Sequence, residues 1–135
     1  MGTLRPFILS EDARSQAGFY VEALGGEIKS VFTYGQAGGA EDEHQDKVMH
    51  LCVAVAGENS IFMADAIEPF TQGSGILLDV SYKTKSEAES AFTKLSSAPG
   101  GQVKHAFARQ PYGLYYGELV DPYGVIWMIT SDDAS

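Results

Sequence analysis

Residues 114–129 read Leu-Tyr-Tyr-Gly-Glu-Leu-Val, then Asp121-Pro122-Tyr123-Gly124, then Val-Ile-Trp-Met-Ile. Two apolar-rich runs of strand length flank a four-residue turn, and each turn position has a physical logic. Asp121 can accept hydrogen bonds from the backbone it precedes, Pro122 presets φ at the second position, and Gly124 fits the fourth. A β-hairpin is the expected structure. Upstream of it, Gln110-Pro111-Tyr112-Gly113 reads as a turn and 102–108 as a strand. Before that strand, Ser86-Glu87-Ala88-Glu89 matches a capping box. Ala88, Ala91, Phe92 and Leu95 supply the apolar stripe of a helix, which Pro99-Gly100-Gly101 stops. A strand at 76–82, interrupted by Asp79, opens this half of the chain.

The first half has the same order. A short strand at 4–9 is limited by Pro6. Ser10 is a helix N-cap followed by Glu11 and Asp12, which suit the positive end of the dipole. Ala13, Ala17, Tyr20 and Leu24 form one apolar face, ending at Gly25-Gly26. Strands at 27–34, 48–55 and 60–66 follow, the last two joined by a hairpin signal at Gly57-Glu58-Asn59. Residues 35–46 are rich in Gly, Ala and acids without periodicity and read as a mobile loop, a lid or a connector. Nearly the same spacing separates Ser10 from Ser86 and Gly26 from Gly101, so the chain reads as a repeat of one βαβββ unit. The expected fold is α+β: a single domain over 1–135, with module one about 1–68 and module two about 74–135. The modules are expected to share a curled mixed sheet around a cleft, helices on the outer face.

Bulk properties narrow the function. At 135 residues with 44% hydrophobic content the chain can bury a core without staples. No run approaches the roughly 18 apolar residues of a membrane span, and residues 1–6 lack the apolar region of a signal peptide. The single Cys52 lies in an apolar run, which fits a reducing cytoplasm. A net charge of −9 argues against nucleic acid as a partner.

Polar groups inside apolar strands are the candidate site. His50 shares a strand face with Cys52 and Ala54, a combination that suits either a cavity wall or a satisfied core histidine. Asp79 shares a face with Leu77 and Ser81, and needs water, a partner or a cleft. Glu118 alternates with Tyr116 and Val120, opposite Tyr115, Gly117 and Leu119. Tyr112, Tyr115 and Tyr116 form an aromatic group able to stack on a planar ligand or a second subunit. Trp127 reads first as core and second as a pocket wall. His44 in the acidic loop and His105 in a strand read as solvated.

These residues resemble a known family. Phe19-Tyr20-x-x-Ala23-Leu24-Gly25-Gly26, Val48-Met49-His50 and Asp121-Pro122-Tyr123-Gly124-x-x-Trp127 are similar to the PhnB-like branch of the vicinal oxygen chelate superfamily. That superfamily includes glyoxalase I, bleomycin-resistance proteins, fosfomycin-modifying enzymes and extradiol dioxygenases. The resemblance implies paired βαβββ modules, a homodimer and a cleft in the sheet. Some members of this branch carry a demethylubiquinone methyltransferase label. The sequence lacks the Gly-rich turn of a doubly wound fold that would support one. Metal-using relatives carry His or a similar ligand in the first and fifth strands and Glu in the fourth and eighth. On that frame this chain offers Arg5, Ile76, Asp65 and Met128. A guanidinium repels a cation, an alkane has no lone pair, and a thioether is a poor ligand for hard ions.

The sequence therefore reads as a cytoplasmic, homodimeric small-molecule-binding protein with no predicted metal or other cofactor. Asp65, Asp79, Tyr115, Tyr116, Trp127 and Met128 are the candidate ligand-binding residues. The alternative is a superfamily enzyme of lyase, isomerase or dioxygenase type. It would use an atypical divalent metal site, or acid–base chemistry by His50 and Glu118.

Overall fold

A computed structural model describes residues 1–39 and 42–132. The chain divides into two compact units, Met1–Thr71 and Gln72–Ser135. The first contains β1 (Phe7–Ser10), α1 (Ala13–Leu24), β2 (Gly26–Thr33), a one-turn helix α2 (Tyr34–Ala37), β3 (Val48–Val55) and β4 (Asn59–Asp65). The second contains β5 (Leu77–Tyr82), α3 (Lys85–Ser97), β6 (Gln102–Arg109), β7 (Tyr115–Val120) and β8 (Ile126–Ser131). Each unit builds a four-stranded sheet, ordered β1-β4-β3-β2 in one and β5-β8-β7-β6 in the other. In both, the outer first strand is parallel to the last and every other pair is antiparallel. The βαβββ repeat is real at the level of topology, and the two mixed sheets with their helices match the expected α+β class.

In each unit one helix covers one sheet face. Ala13, Ala17, Tyr20 and Leu24 of α1 are buried, together with Leu51, Val53 and Met63 of the sheet. Each of the larger side chains contributes roughly 1.5–3 kcal/mol by leaving water. The second unit does the same with Ala88, Ala91, Phe92 and Leu95 against Leu119, Trp127 and Ile129. The apolar stripes read from sequence are the stripes that are buried.

The caps differ from the sequence reading by two residues, in opposite directions. Ser10 remains in β1, paired with Asp65, so the first helix starts later. Asp12 caps α1 by accepting from Ser15 N at 3.1 Å. The bonds from Ser15 hold the Asp12 carboxyl below its ordinary range. In α3 the cap is Thr84, not Ser86. Thr84 Oγ1 accepts from Glu87 N at 3.2 Å and donates to Glu87 Oε1 at 2.9 Å. The sequence holds two overlapping Ser/Thr-x-x-Glu patterns, and the earlier one adds helical hydrogen bonds without moving the apolar stripe.

The first strand is also shorter than read, since residues 4–6 precede β1. The stretch at 35–46 is partly structured. Thr33 caps α2 through a capping box with Gln36, and 42–44 form a 3₁₀ turn. Tyr34 N and Gly35 N donate to Lys47 O and Gln45 O, so the two ends of this stretch are laddered together. Residues 40 and 41 of the expected loop lie outside the described ones.

Candidate functional site

Opposite its helix, each sheet has an open face. In the second unit Gly117 fixes the orientation: a Cβ there would sit 2.6 Å from Phe92 Cε1 of α3. Gly117 and Leu119 therefore face the helix, and Tyr116 and Glu118 face away. Strand register aligns Asp79 of β5, Met128 of β8, Glu118 of β7 and His105 of β6 in one row across the sheet. The neighbouring row holds Ser81, Thr130 and Tyr116, with the two hydroxyl oxygens of Ser81 and Thr130 2.7 Å apart. Tyr116 OH donates to Glu118 Oε1 at 2.7 Å, and Lys104 Nζ stands 4.0 Å from the other oxygen. The Tyr116 phenol is pushed up to about 12, first by its partial burial and then by the bond to Glu118 and the negative field of Glu118. Four residues singled out in the sequence, Asp79, Tyr116, Glu118 and Met128, thus share one surface.

The first unit's open face is aromatic. The His50 and Phe62 rings are 4.5 Å apart, Phe7 lies 5.9 Å from His50 and 6.4 Å from Phe62, and all meet edge-on or tilted. The Arg5 guanidinium lies 4.9 Å over the Phe62 ring. Phe32 pairs with His50 across the strands. Phe7 is 52% exposed and Phe32 43%, so this aromatic face meets water where the opposite face is core.

Three sequence candidates lie elsewhere. Asp65 is on the helix side of β4, where Oδ1 accepts from Ala13 N and Oδ2 from Val48 N, both at 2.7 Å. Its carboxyl group ties the start of α1 and the start of β3 to the strand end, instead of lining the open face. Tyr115 faces the helix side too, stacked on Phe107 at 5.8 Å with Lys85 Nζ 5.1 Å from its ring centroid. Trp127 is 1% exposed, and its indole donates to Asp121 Oδ2 at 2.8 Å. That bond occupies the polar end of the ring and leaves the rest as core. The two general acid–base candidates, His50 and Glu118, lie on the open faces of different units.

The metal frame shifts with this geometry. Because Asp65 points to the helix side, β4 presents Phe62 on its open face. By the same alternation β1 presents Phe7, β5 presents Leu77 and Asp79, and β8 presents Met128. The first unit's two phenyl rings offer a metal no lone pair, and the second unit's row sets a thioether, a poor ligand for hard ions, between the carboxyl groups of Asp79 and Glu118. No group of three or more His, Cys, Asp or Glu side chains able to hold a metal occurs among the described residues. A depression of about 360 Å³ between Glu11, Glu68 and Phe70 lies beyond the end of β4 and involves none of these residues.

Sequence reasoning missed Phe7, Phe62, Phe32 and Lys104. The phase of β1 alternation carried a signal for Phe7. Phe62 becomes visible only once its register opposite Cys52 is known.

Comparison with known proteins agrees with the architecture. The sequence profile of the 3-demethylubiquinone-9 3-methyltransferase family matches residues 4–130. No curated protein is similar in sequence. A Pseudomonas aeruginosa protein of known structure is 24% identical with a TM-score of 0.84, covering 98% of both chains. A PhnB protein from Bacillus cereus, described as a putative 3-demethylubiquinone-9 3-methyltransferase, is 27% identical with a TM-score of 0.77. That match covers 96% of this chain and 99% of the other. The fosfomycin resistance protein FosX from Listeria monocytogenes, solved with Mn(II) and sulfate, is 8% identical at a TM-score of 0.66, over 96% and 91% of the chains.

Proposed function

We propose a function from one premise: the chain belongs to the PhnB-like 3-demethylubiquinone-9 3-methyltransferase family, within the vicinal oxygen chelate fold. On that premise the protein binds a small organic molecule on its open sheet faces and does so without the usual divalent metal. The observation carrying this reading is that, in the first unit, the open-face positions of β1 and β4 hold Phe7 and Phe62; in the second unit, taken by itself, β8 presents Met128. Rings and a thioether favour an organic ligand over a hard cation. The methyl transfer in the family's name is not carried over. β1 runs into α1 through Ser10, Glu11 and Asp12, not through a glycine-rich turn, and each sheet has a single parallel pair.

Metal content tests this reading. Protein purified without chelators or a His tag is expected to carry well below one equivalent of Ni, Zn, Mn or Fe. Stoichiometric metal that disappears in Asp79→Asn or Glu118→Gln overturns it. A homodimer and a cytoplasmic location belong to the same reading; light scattering on the eluting protein checks the first. No helix among the described residues is long and apolar enough to cross a membrane.

A second reading draws on the Tyr116–Glu118 bond, which orients a carboxyl group on the open face as a general base would be oriented. It makes the protein a metal-independent acid–base enzyme. Turnover of any substrate that survives EDTA and falls at least about a hundredfold in Glu118→Gln supports it. Turnover unaffected by that change removes it.

A further inference from the structure

We infer that the ligand of the first unit's open face is an aromatic carboxylate, with Arg5 supplying the positive charge that a metal supplies in the superfamily. The inference rests on the small-molecule reading above and names its ligand class. Arg5, which the sequence frame sets at the first-strand metal position, precedes β1, and the structure gives its cation a place. Its guanidinium lies 4.9 Å over the Phe62 ring, within the same aromatic group as Phe7 and His50.

Two further observations set the ligand's charge. The chain has 18 acidic against 9 basic residues, yet among the described residues no carboxylate lies within ion-pair distance of Arg5. An always-charged group left unpaired on an exposed face of an acidic protein is complementary to an anion from outside. The guanidinium makes no hydrogen bond among the described residues, so two of its N–H groups can grip both oxygens of one carboxylate. A metal draws two oxygens together at a point, whereas a guanidinium binds them side by side.

The rings set the rest of the ligand. Phe7, His50 and Phe62 meet at centroid distances of 4.5–6.4 Å, and Phe7 keeps half its surface in water. A flat aromatic body can add to this group by offset or edge contact while its carboxylate reaches Arg5.

A pair of probes differing only in charge tests the inference. Isotope-labelled protein is titrated with 2-naphthoate and with 2-naphthamide, and amide shifts are followed by NMR. Naphthoate is expected to bind about tenfold more tightly, as a two-pronged charged contact would give. Its shifts are expected to centre on β1, β3 and β4. In Arg5→Gln the preference disappears, and in Arg5→Lys a part of it remains. Arg5 is exposed, so neither change threatens folding. Phe7→Ala, at another exposed position, weakens both probes. Equal affinity for the two probes, a preference that survives Arg5→Gln, shifts centred in the second unit, or no binding of either probe overturns the inference. So does a face covered by a second copy of the chain, seen as self-association lost in Phe7→Ala with no probe binding. Naphthamide binding without charge preference refutes the carboxylate and leaves the small-molecule function standing. Metal content tests that function separately.

Discussion

Removing the Asp121 carboxyl group should cost a large part of the second unit's stability. Asp121 is 1% exposed and sits at the first position of the turn between β7 and β8. Oδ1 accepts from Tyr123 N at 2.8 Å and from Val125 N at 3.1 Å, and Oδ2 accepts from the Trp127 indole at 2.8 Å. In Asp121→Ala all three donors lose this acceptor. The Val125 and Trp127 donors are buried, and each unmade bond there costs about 1–3 kcal/mol. The partly buried Tyr123 amide can recover some of its loss in water. The sum is about 3–5 kcal/mol, against a total of roughly 5–15 kcal/mol for an ordinary domain. Asp121→Asn keeps one oxygen for the two turn amides but turns an NH₂ group toward the indole N–H. It should cost about 1–3 kcal/mol. Urea unfolding followed by fluorescence reads this directly, because Trp127 is the sole tryptophan and reports on its own contact. A midpoint shift at constant slope is expected. A loss below about 1 kcal/mol for Asp121→Ala, or equal losses for Ala and Asn, would refute the clip as the reason this turn motif exists.

Three other perturbations test the remaining geometry. In Gly117→Ala the new Cβ would fall 2.6 Å from Phe92 Cε1 and 3.0 Å from Phe107 Cα. Overpacking should cost about 1–3 kcal/mol in the same unfolding assay, and a neutral result would contradict the close approach of α3 to β7. Thr84→Ala should cost about 1 kcal/mol, whereas Ser86→Ala should be close to neutral. The reverse order in thermal melts would restore the cap position read from sequence. The Tyr116 phenol, raised to about 12, should ionise after ordinary tyrosines in an ultraviolet titration, and Glu118→Gln should bring it down. A raised folded pKa means that its contribution to stability is full below the ordinary value near 10 and is lost as pH climbs through about 12.

Much of the fold was legible because it depends on residues that face helices. The stripes Ala13–Ala17–Tyr20–Leu24 and Ala88–Ala91–Phe92–Leu95 obey a helical period, and burial follows the period whatever the cap does. Caps were less legible because Ser10, Asp12, Thr84 and Ser86 all have the right chemistry. The choice among them is made by where the preceding strand ends. The site was legible by half. Alternation correctly separated Tyr116 and Glu118 from Tyr115 and Leu119. It placed Asp65 near a metal position because sequence could not give its phase relative to β1. One residue of register decides whether that carboxyl group meets a ligand or the N–H of Ala13.

The two units meet the same packing demand with different clips, which bears on where function can reside. In the first, Asp65 at the end of β4 holds the start of the helix. The second unit's counterpart, Ser131, is buried with no hydrogen-bond partner for its hydroxyl among the described residues. There the carboxyl clip stands one strand earlier, at Asp121, and secures a turn and an indole. A repeat that preserves topology while moving its fastenings is constrained by what must face the helix, not by particular contacts. The open faces carry no such constraint, and their chemistry differs. One presents Phe7, Phe62, His50 and Arg5; the other presents Asp79, Glu118, Lys104, Ser81 and Thr130. An aromatic surface with a guanidinium that has no ion-pair partner among the described residues and a polar surface with paired carboxyl chemistry cannot recognise the same group. Whatever the protein binds therefore has to be argued face by face, from the side chains that the fold itself does not need.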